Sequence, residues 1–125
     1  MESETVKKKG KTWFIDIDGV IFKHNAYLGE ITNIETPLPG IKALFSQIPE
    51  EDVIVLVTAR GSMYKENTIR SLNSNCIKYN YIIMDPPTGA RILINDAKPD
   101  GTETAFSYNL SRNAGISEPL LDELI

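Results

Sequence analysis

The sequence predicts an α/β fold: a doubly wound, Rossmann-like three-layer sandwich with a mostly parallel central sheet. Three observations predict it. Val53-Ile54-Val55-Leu56-Val57 is an uninterrupted aliphatic run, the pattern of a strand covered by helices on both faces of a parallel sheet. Apolar runs recur at 12–17, 81–84 and 91–95, each followed by a polar turn. Stretches with helical spacing separate them, and strands that alternate with helices build parallel sheets. At 125 residues and 42% hydrophobic, the chain suits one domain with a real core.

Residues 1–11 are polar, carry Lys7, Lys8, Lys9 and Lys11, and read as a solvated flexible arm without a signal-peptide core. The single domain then occupies 12–125. Residues 12–17 form the first strand, apolar on both faces and so expected to be central, with Trp13 and Phe14 expected in the core. Residues 20–36 show no helical period, and 27–34 around Gly29-Glu30 suit a short hairpin. Pro37 and Pro39 close that segment. Ile41, Leu44, Phe45 and Ile48 have helical spacing, so 40–48 is a helix that Pro49 ends. The aliphatic strand at 53–57 follows, then a helix over 62–73 and a third strand at 81–84 stopped by Asp85-Pro86-Pro87. A fourth strand is expected at 91–95. Pro99-Asp100-Gly101 turns the chain, a helix runs from 102 or 103 to about 111, and 117–125 makes one more short helix or a frayed end.

Composition narrows the function. Thirteen basic against seventeen acidic residues give a net charge of -4, which argues against a general nucleic-acid surface. No apolar run is long enough to span a bilayer. The lone Cys76 excludes an internal disulfide and suits a reducing, cytoplasmic setting. As a nucleophile it lacks support, because the lone His24 lies in an unrelated segment.

The chemistry gathers at strand ends. Asp16 and Asp18 follow the first strand, Thr58 the second, Asp96 and Asp100 the fourth. In an open parallel sheet these ends lie along one edge, where ligands bind. Four carboxylates converging there call for a hard cation, and Mg²⁺ favours carboxylates, waters and a substrate phosphate. Thr58 offers a hydroxyl and a backbone N–H to a phosphate oxygen. Arg91 is the nearest cation before the last acidic loop and can neutralise a transferring phosphoryl group. Lys65, Lys78 and Lys98 are its rivals.

Phe14-Ile15-Asp16-Ile17-Asp18-Gly19-Val20, Val55-Leu56-Val57-Thr58-Ala59-Arg60 and Ile92-Leu93-Ile94-Asn95-Asp96-Ala97-Lys98-Pro99-Asp100-Gly101 resemble the successive motifs of the haloacid dehalogenase superfamily phosphatases. The resemblance covers residues 14–101. It implies a Mg²⁺-dependent phosphomonoesterase that works through an aspartyl-phosphate intermediate on a small phosphorylated metabolite. Asp16 would be the nucleophile and Asp18 the general acid/base. Thr58, with Ala59 beside it, and Arg91 would bind the substrate phosphate, and Asp16, Asp18, Asp96 and Asp100 would hold the metal. The basic residue departs from the family pattern, which usually has a lysine further upstream. Only about twenty residues lie between Asp18 and the first helix, too few for a cap domain, so the chain resembles a capless member. Its ending motif is similar to that of small proteins encoded with bacterial surface-polysaccharide pathways, which implies a sugar or polyol phosphate.

Two further readings stand beside this one. A non-catalytic Mg²⁺-binding or receiver-like regulatory domain would also gather aspartates on such a sheet, but a receiver places its phosphorylated aspartate where this chain has Thr58. Residues 23–36, with Tyr27, Leu28, Ile31 and Ile34, are too apolar for a free loop. They cover either the domain's own core or a neighbouring subunit, and the second choice makes a homo-oligomer.

Overall fold

The computed structural model describes residues 10–25 and 33–125. Strands β1 (Thr12–Asp16), β2 (Val53–Thr58) and β3 (Tyr81–Met84) form one parallel sheet in the order β1-β2-β3. Helix α1 (Ile41–Gln47) lies between β1 and β2 in the chain. Helix α2 (Lys65–Ser74), entered through a 3-10 turn at Ser62–Tyr64, lies between β2 and β3, and α3 (Glu118–Leu124) ends the chain. The architecture is α/β, as the alternation of patterns predicts. Among the described residues, no helix is long and apolar enough to cross a membrane.

Each element follows from its residues. β2, not β1 as expected, is the central strand, and its Ile54 and Leu56 point into the core with no more than 1% exposure. In α1 the buried residues are Ile41, Leu44 and Phe45, one face of a helix, and Ile48 continues that face before Pro49 stops it. The turn after β1 folds inward: the Ile17 carbonyl accepts from the N–H groups of Ile21 and Phe22, and all three side chains are fully buried. Ile21 and Phe22 are therefore core without being helical, and Val20 packs half-buried against them. Helix α3 starts at Ser117, whose hydroxyl accepts from the Leu120 N–H, with Pro119 in the first turn where it costs no hydrogen bond.

The last segment is tied down by a close backbone approach. The Ile116 N–H donates to the Pro39 carbonyl at 2.8 Å, beside Gly40 with φ +80°. A Cβ on Gly40 would sit 2.0 Å from the Ile116 carbonyl oxygen. Gly40→Ala therefore meets both a left-handed conformation and a backbone clash, and is expected to cost about 2–3 kcal/mol. Urea denaturation checks it; a loss below about 0.5 kcal/mol would show that the approach is not needed.

Three further expectations are corrected. Residues 91–95 are not a strand: they are exposed, with Ile92 at 84% and Ile94 at 91%. The Arg91 side chain lies on Asp16, at the carboxyl end of β1, a contact that does not suit a run paired alongside β1 from its first residues. Residues 102–111 are not a helix. The Thr102 N–H donates to Asp100 Oδ1 and the Thr104 hydroxyl donates to the Asp96 carbonyl, local bonds that compete with helical ones. Phe14 is not core: it is 58% exposed, while Trp13 on the opposite face is partly buried and donates its Nε1–H to Asp52.

These differences limit the layering. Right-handed crossovers in the order β1-β2-β3 set α1 and α2 on the same face of the sheet. That face carries Ile15, Ile54, Leu56 and Thr58, all buried. The other face presents Phe14, Val55 and Tyr81 in register, with Ile83 beyond, and Phe14, Tyr81 and Ile83 are exposed. The described strands do not reverse direction of winding, so the doubly wound, three-layer form is not reached within them. The expected turn at 99–101 is present, with the Gly101 N–H donating to the Lys98 carbonyl. The expected hairpin at 27–34 falls largely on residues 26–32, outside the described residues, as does most of the N-terminal arm.

Candidate active site

Asp16 ends β1, and Asp18 follows on the turn whose Gly19 has φ +87°. Their environments differ sharply. Asp16 is 38% exposed at its side chain, and its Oδ1 lies 3.3 Å from an Arg91 Nη at 43% exposure. Asp18 is 16% exposed and both of its oxygens accept: Oδ2 from the Thr58 hydroxyl at 2.6 Å, Oδ1 from Arg60 Nε at 3.0 Å. The β1 and β2 strand ends thus bring Asp16, Asp18 and Thr58 together on the carboxyl edge, where their spacing in the sequence places them.

Thr58 is fully buried. Its hydroxyl donates to Asp18 and accepts the Arg60 backbone N–H at 3.0 Å, so in this arrangement it supports Asp18 rather than facing an open site. Ala59 follows it at the strand end, half-buried. Of the cations weighed against one another, Arg91 is the one that reaches Asp16. Lys78 belongs to the opposite edge, where its Nζ donates to the Ile48 carbonyl ahead of β2. Lys98 is part of the turn at 98–102, and Lys65 is exposed at the start of α2.

The centre of the edge is Arg60, two residues past Thr58. Arg60 is 2% exposed and joins four segments. Nε donates to Asp18, the two Nη groups donate to Glu35 at 2.8 Å each in a bidentate fork, and one Nη also donates to Thr68 on α2 at 3.0 Å. Burial pulls the guanidinium down, but its hydrogen bonds to Glu35 and the charges of Asp18 and Glu35 outweigh it and hold it above its ordinary value. Glu35 is fixed in turn: its N–H donates to the Ser71 hydroxyl and its carbonyl accepts from Asn75. The buried face of α2 is Thr68, Ser71 and Leu72, polar where a helix usually packs aliphatics, because it faces this network.

Asn113 is the other residue that sequence reasoning underrated. At φ +65° it donates its N–H to the Gly19 carbonyl, and its Oδ1 accepts from the His24 N–H at 2.7 Å. It clamps the turn that carries Asp18. An asparagine followed by Ala114-Gly115 is a turn signal, but nothing in the pattern gives it a partner ninety residues upstream.

Asp96 and Asp100 stand apart, exposed on the segment that leaves the sheet. The Thr102 N–H donating to Asp100 holds that carboxyl below the usual carboxylate range, so the turn gains from it at neutral pH and loses it in acid. Among the described residues, no three His, Cys, Asp or Glu side chains gather to hold a metal. Among the described residues the donor set therefore does not fit Mg²⁺: Asp16 faces Arg91, both Asp18 oxygens are engaged, and Asp96 and Asp100 lie elsewhere. No protein-family model, curated protein or solved structure matches this chain.

Proposed function

We propose that the chain is a capless phosphomonoesterase with a Rossmann-like, haloacid dehalogenase type of design, acting on a small phosphorylated metabolite. The observation that carries this reading is the division of labour between two neighbouring carboxylates at one strand end. Asp16 is open to solvent beside an arginine, and Asp18 is shielded and hydrogen-bonded. An exposed carboxylate next to a cation suits nucleophilic attack on an anionic ester.

In this reading Arg91 draws the phosphoryl oxygens toward Asp16. An Asp16 oxygen forms a bond to phosphorus as the bond to the leaving oxygen breaks, giving an aspartyl phosphate and an alkoxide that takes up a proton. Water then attacks phosphorus, inorganic phosphate leaves, and the carboxylate is regenerated. In its protonated form Asp18 gives the leaving oxygen that proton, from the carboxyl oxygen that otherwise accepts from Thr58, and the resulting carboxylate then takes a proton from the attacking water as the bond from Asp16 to phosphorus breaks. The resemblance implies Mg²⁺ as the cofactor, although the described carboxylates do not gather to hold it.

Phosphate release from sugar, polyol, nucleotide and amino-alcohol phosphates, in buffer containing Mg²⁺, tests the reading. Turnover of at least one ester is expected, and Arg91→Ala is expected to lower kcat/KM about 10²-fold. Silence across the whole panel would defeat the phosphatase and leave the non-catalytic regulatory domain. An Arg91→Ala enzyme as fast as the wild type would remove Arg91 from the site.

A further inference from the structure

The end of β3 carries a strained carboxylate that the phosphatase chemistry does not use. Asp85 follows Met84, which pairs with Thr58, so it stands on the same carboxyl edge as Asp16 and Asp18. Its φ is +78°, although it is not a glycine and precedes Pro86. A residue before proline is ordinarily extended, with negative φ. Strain of this kind persists only where the surroundings fix it, and it gathers at ligand sites.

Two bonds do the fixing. The Asp85 N–H donates to the Arg60 carbonyl at 2.9 Å, and its Oδ2 accepts from the Ser62 N–H at 3.2 Å. Together they clamp the turn at 60–62, and the clamp uses one carboxylate oxygen. Asp85 is exposed, and its Oδ1 has no hydrogen-bond partner among the described residues. A side chain at position 61 would crowd that oxygen, since a Cβ there would lie 3.4 Å from Oδ1. Position 61 is a glycine, yet its φ of -69° suits any L residue. The backbone does not require this glycine. What it provides is open space beside Oδ1.

The chemistry of such an oxygen is selective. A carboxylate oxygen accepts hydrogen bonds and donates none, so it repels a second anion and takes a hydroxyl. Its bonds to donors are stronger than those between neutral groups. Asp16 and Asp85 belong to the two outer strands of the described sheet, two strand spacings or about 10 Å apart across it. Asp16 is level with Val57 and Ile83, so Asp85 stands two residues further past the edge. An ester phosphate held at Asp16 leaves Asp85 to the other end of the molecule, at the span of a short hydroxylated chain.

We propose that Asp85 is the specificity-determining residue of this edge, its free Oδ1 accepting from substrate hydroxyls, so that the ester taken is a polyhydroxylated phosphate. The cleavage of that ester rests on the phosphatase reading above; the recognition of its hydroxyls rests on Asp85 and Gly61.

The test compares sorbitol 6-phosphate with propyl phosphate, an alkyl ester without hydroxyls. Wild-type protein is expected to prefer the first by about 10-fold or more in kcat/KM. Asp85→Asn keeps an oxygen for the Ser62 N–H and turns the free position into a donor. It is expected to erase most of that preference, through KM for the hydroxylated ester. Gly61→Val fills the space beside Oδ1 and is expected to act in the same direction. A preference unchanged in both variants would overturn the assignment. So would an equal loss on both esters, which marks a clamp that only holds the turn. Calorimetry decides the matter even where no ester is cleaved and the phosphatase reading fails. Tighter binding of sorbitol 6-phosphate, lost in Asp85→Asn, would then uphold the recognition; equal binding of the two esters, or binding of neither, would overturn it.

Discussion

Arg60→Ala is expected to cost about 3–5 kcal/mol of folding stability, and to lower the melting temperature by about 10 °C or more. The size comes from what is left behind. Glu35 and Asp18 are 13% and 16% exposed at their side chains, and both lose a charged partner at once. Thr68 loses a donor as well. Removing one member of a buried ion pair strands the other in a poorly solvated place, which costs far more than the pair itself contributes. Arg60→Lys keeps the charge but cannot present Nε to Asp18 and a fork to Glu35 together, so it is expected to fall between. Adding Glu35→Gln to Arg60→Ala should recover part of the loss, since one stranded charge is then gone. Thermal and urea denaturation of the four proteins check this series. A loss under about 1 kcal/mol for Arg60→Ala would mean that the network organises the edge without stabilising it.

Arg60 also shows where reading the sequence stops. β1, β2, β3 and α1 were legible because their burial is written in aliphatic side chains at regular spacing. Ile54, Val55 and Leu56 form one buried aliphatic run, and Ile41, Leu44 and Phe45 share a helical face. A buried arginine is written in the same letters as an exposed one. Its burial depends on Glu35, which no local pattern pairs with it across 25 positions. Asp16, Asp18 and Thr58 were legible as a group because parallel strand ends share an edge. The 91–95 run failed for the opposite reason. Its composition is that of a strand, but a strand forms only where an edge pairs with it, and these residues are exposed and unpaired, with the Arg91 side chain on Asp16. Hydropathy records that these residues want a partner and does not say which surface supplies it.

Asp16→Asn is expected to lower phosphate release by about 10⁴-fold or more while the fold stays intact. The amide has the shape of the carboxylate but is a far poorer nucleophile, so no aspartyl phosphate forms. Structure explains why the change is tolerated: the Arg91 contact it weakens is long, and both partners are more than one-third exposed. Pairs of that kind contribute no more than about 0.5–1 kcal/mol, and Asp16 takes no part in the Arg60 network. The same substitution at Asp18 would not separate chemistry from folding so cleanly, because an amide nitrogen facing Arg60 or Thr58 opposes a donor with a donor. Circular dichroism, melting temperature and phosphate release should be measured on one preparation. Trapping with a slowly hydrolysed aryl phosphate adds a direct readout, since wild-type protein is expected to gain the mass of one phosphoryl group and Asp16→Asn none. A folded Asp16→Asn protein that keeps appreciable turnover, or that is still labelled, would move the nucleophile elsewhere on the carboxyl edge.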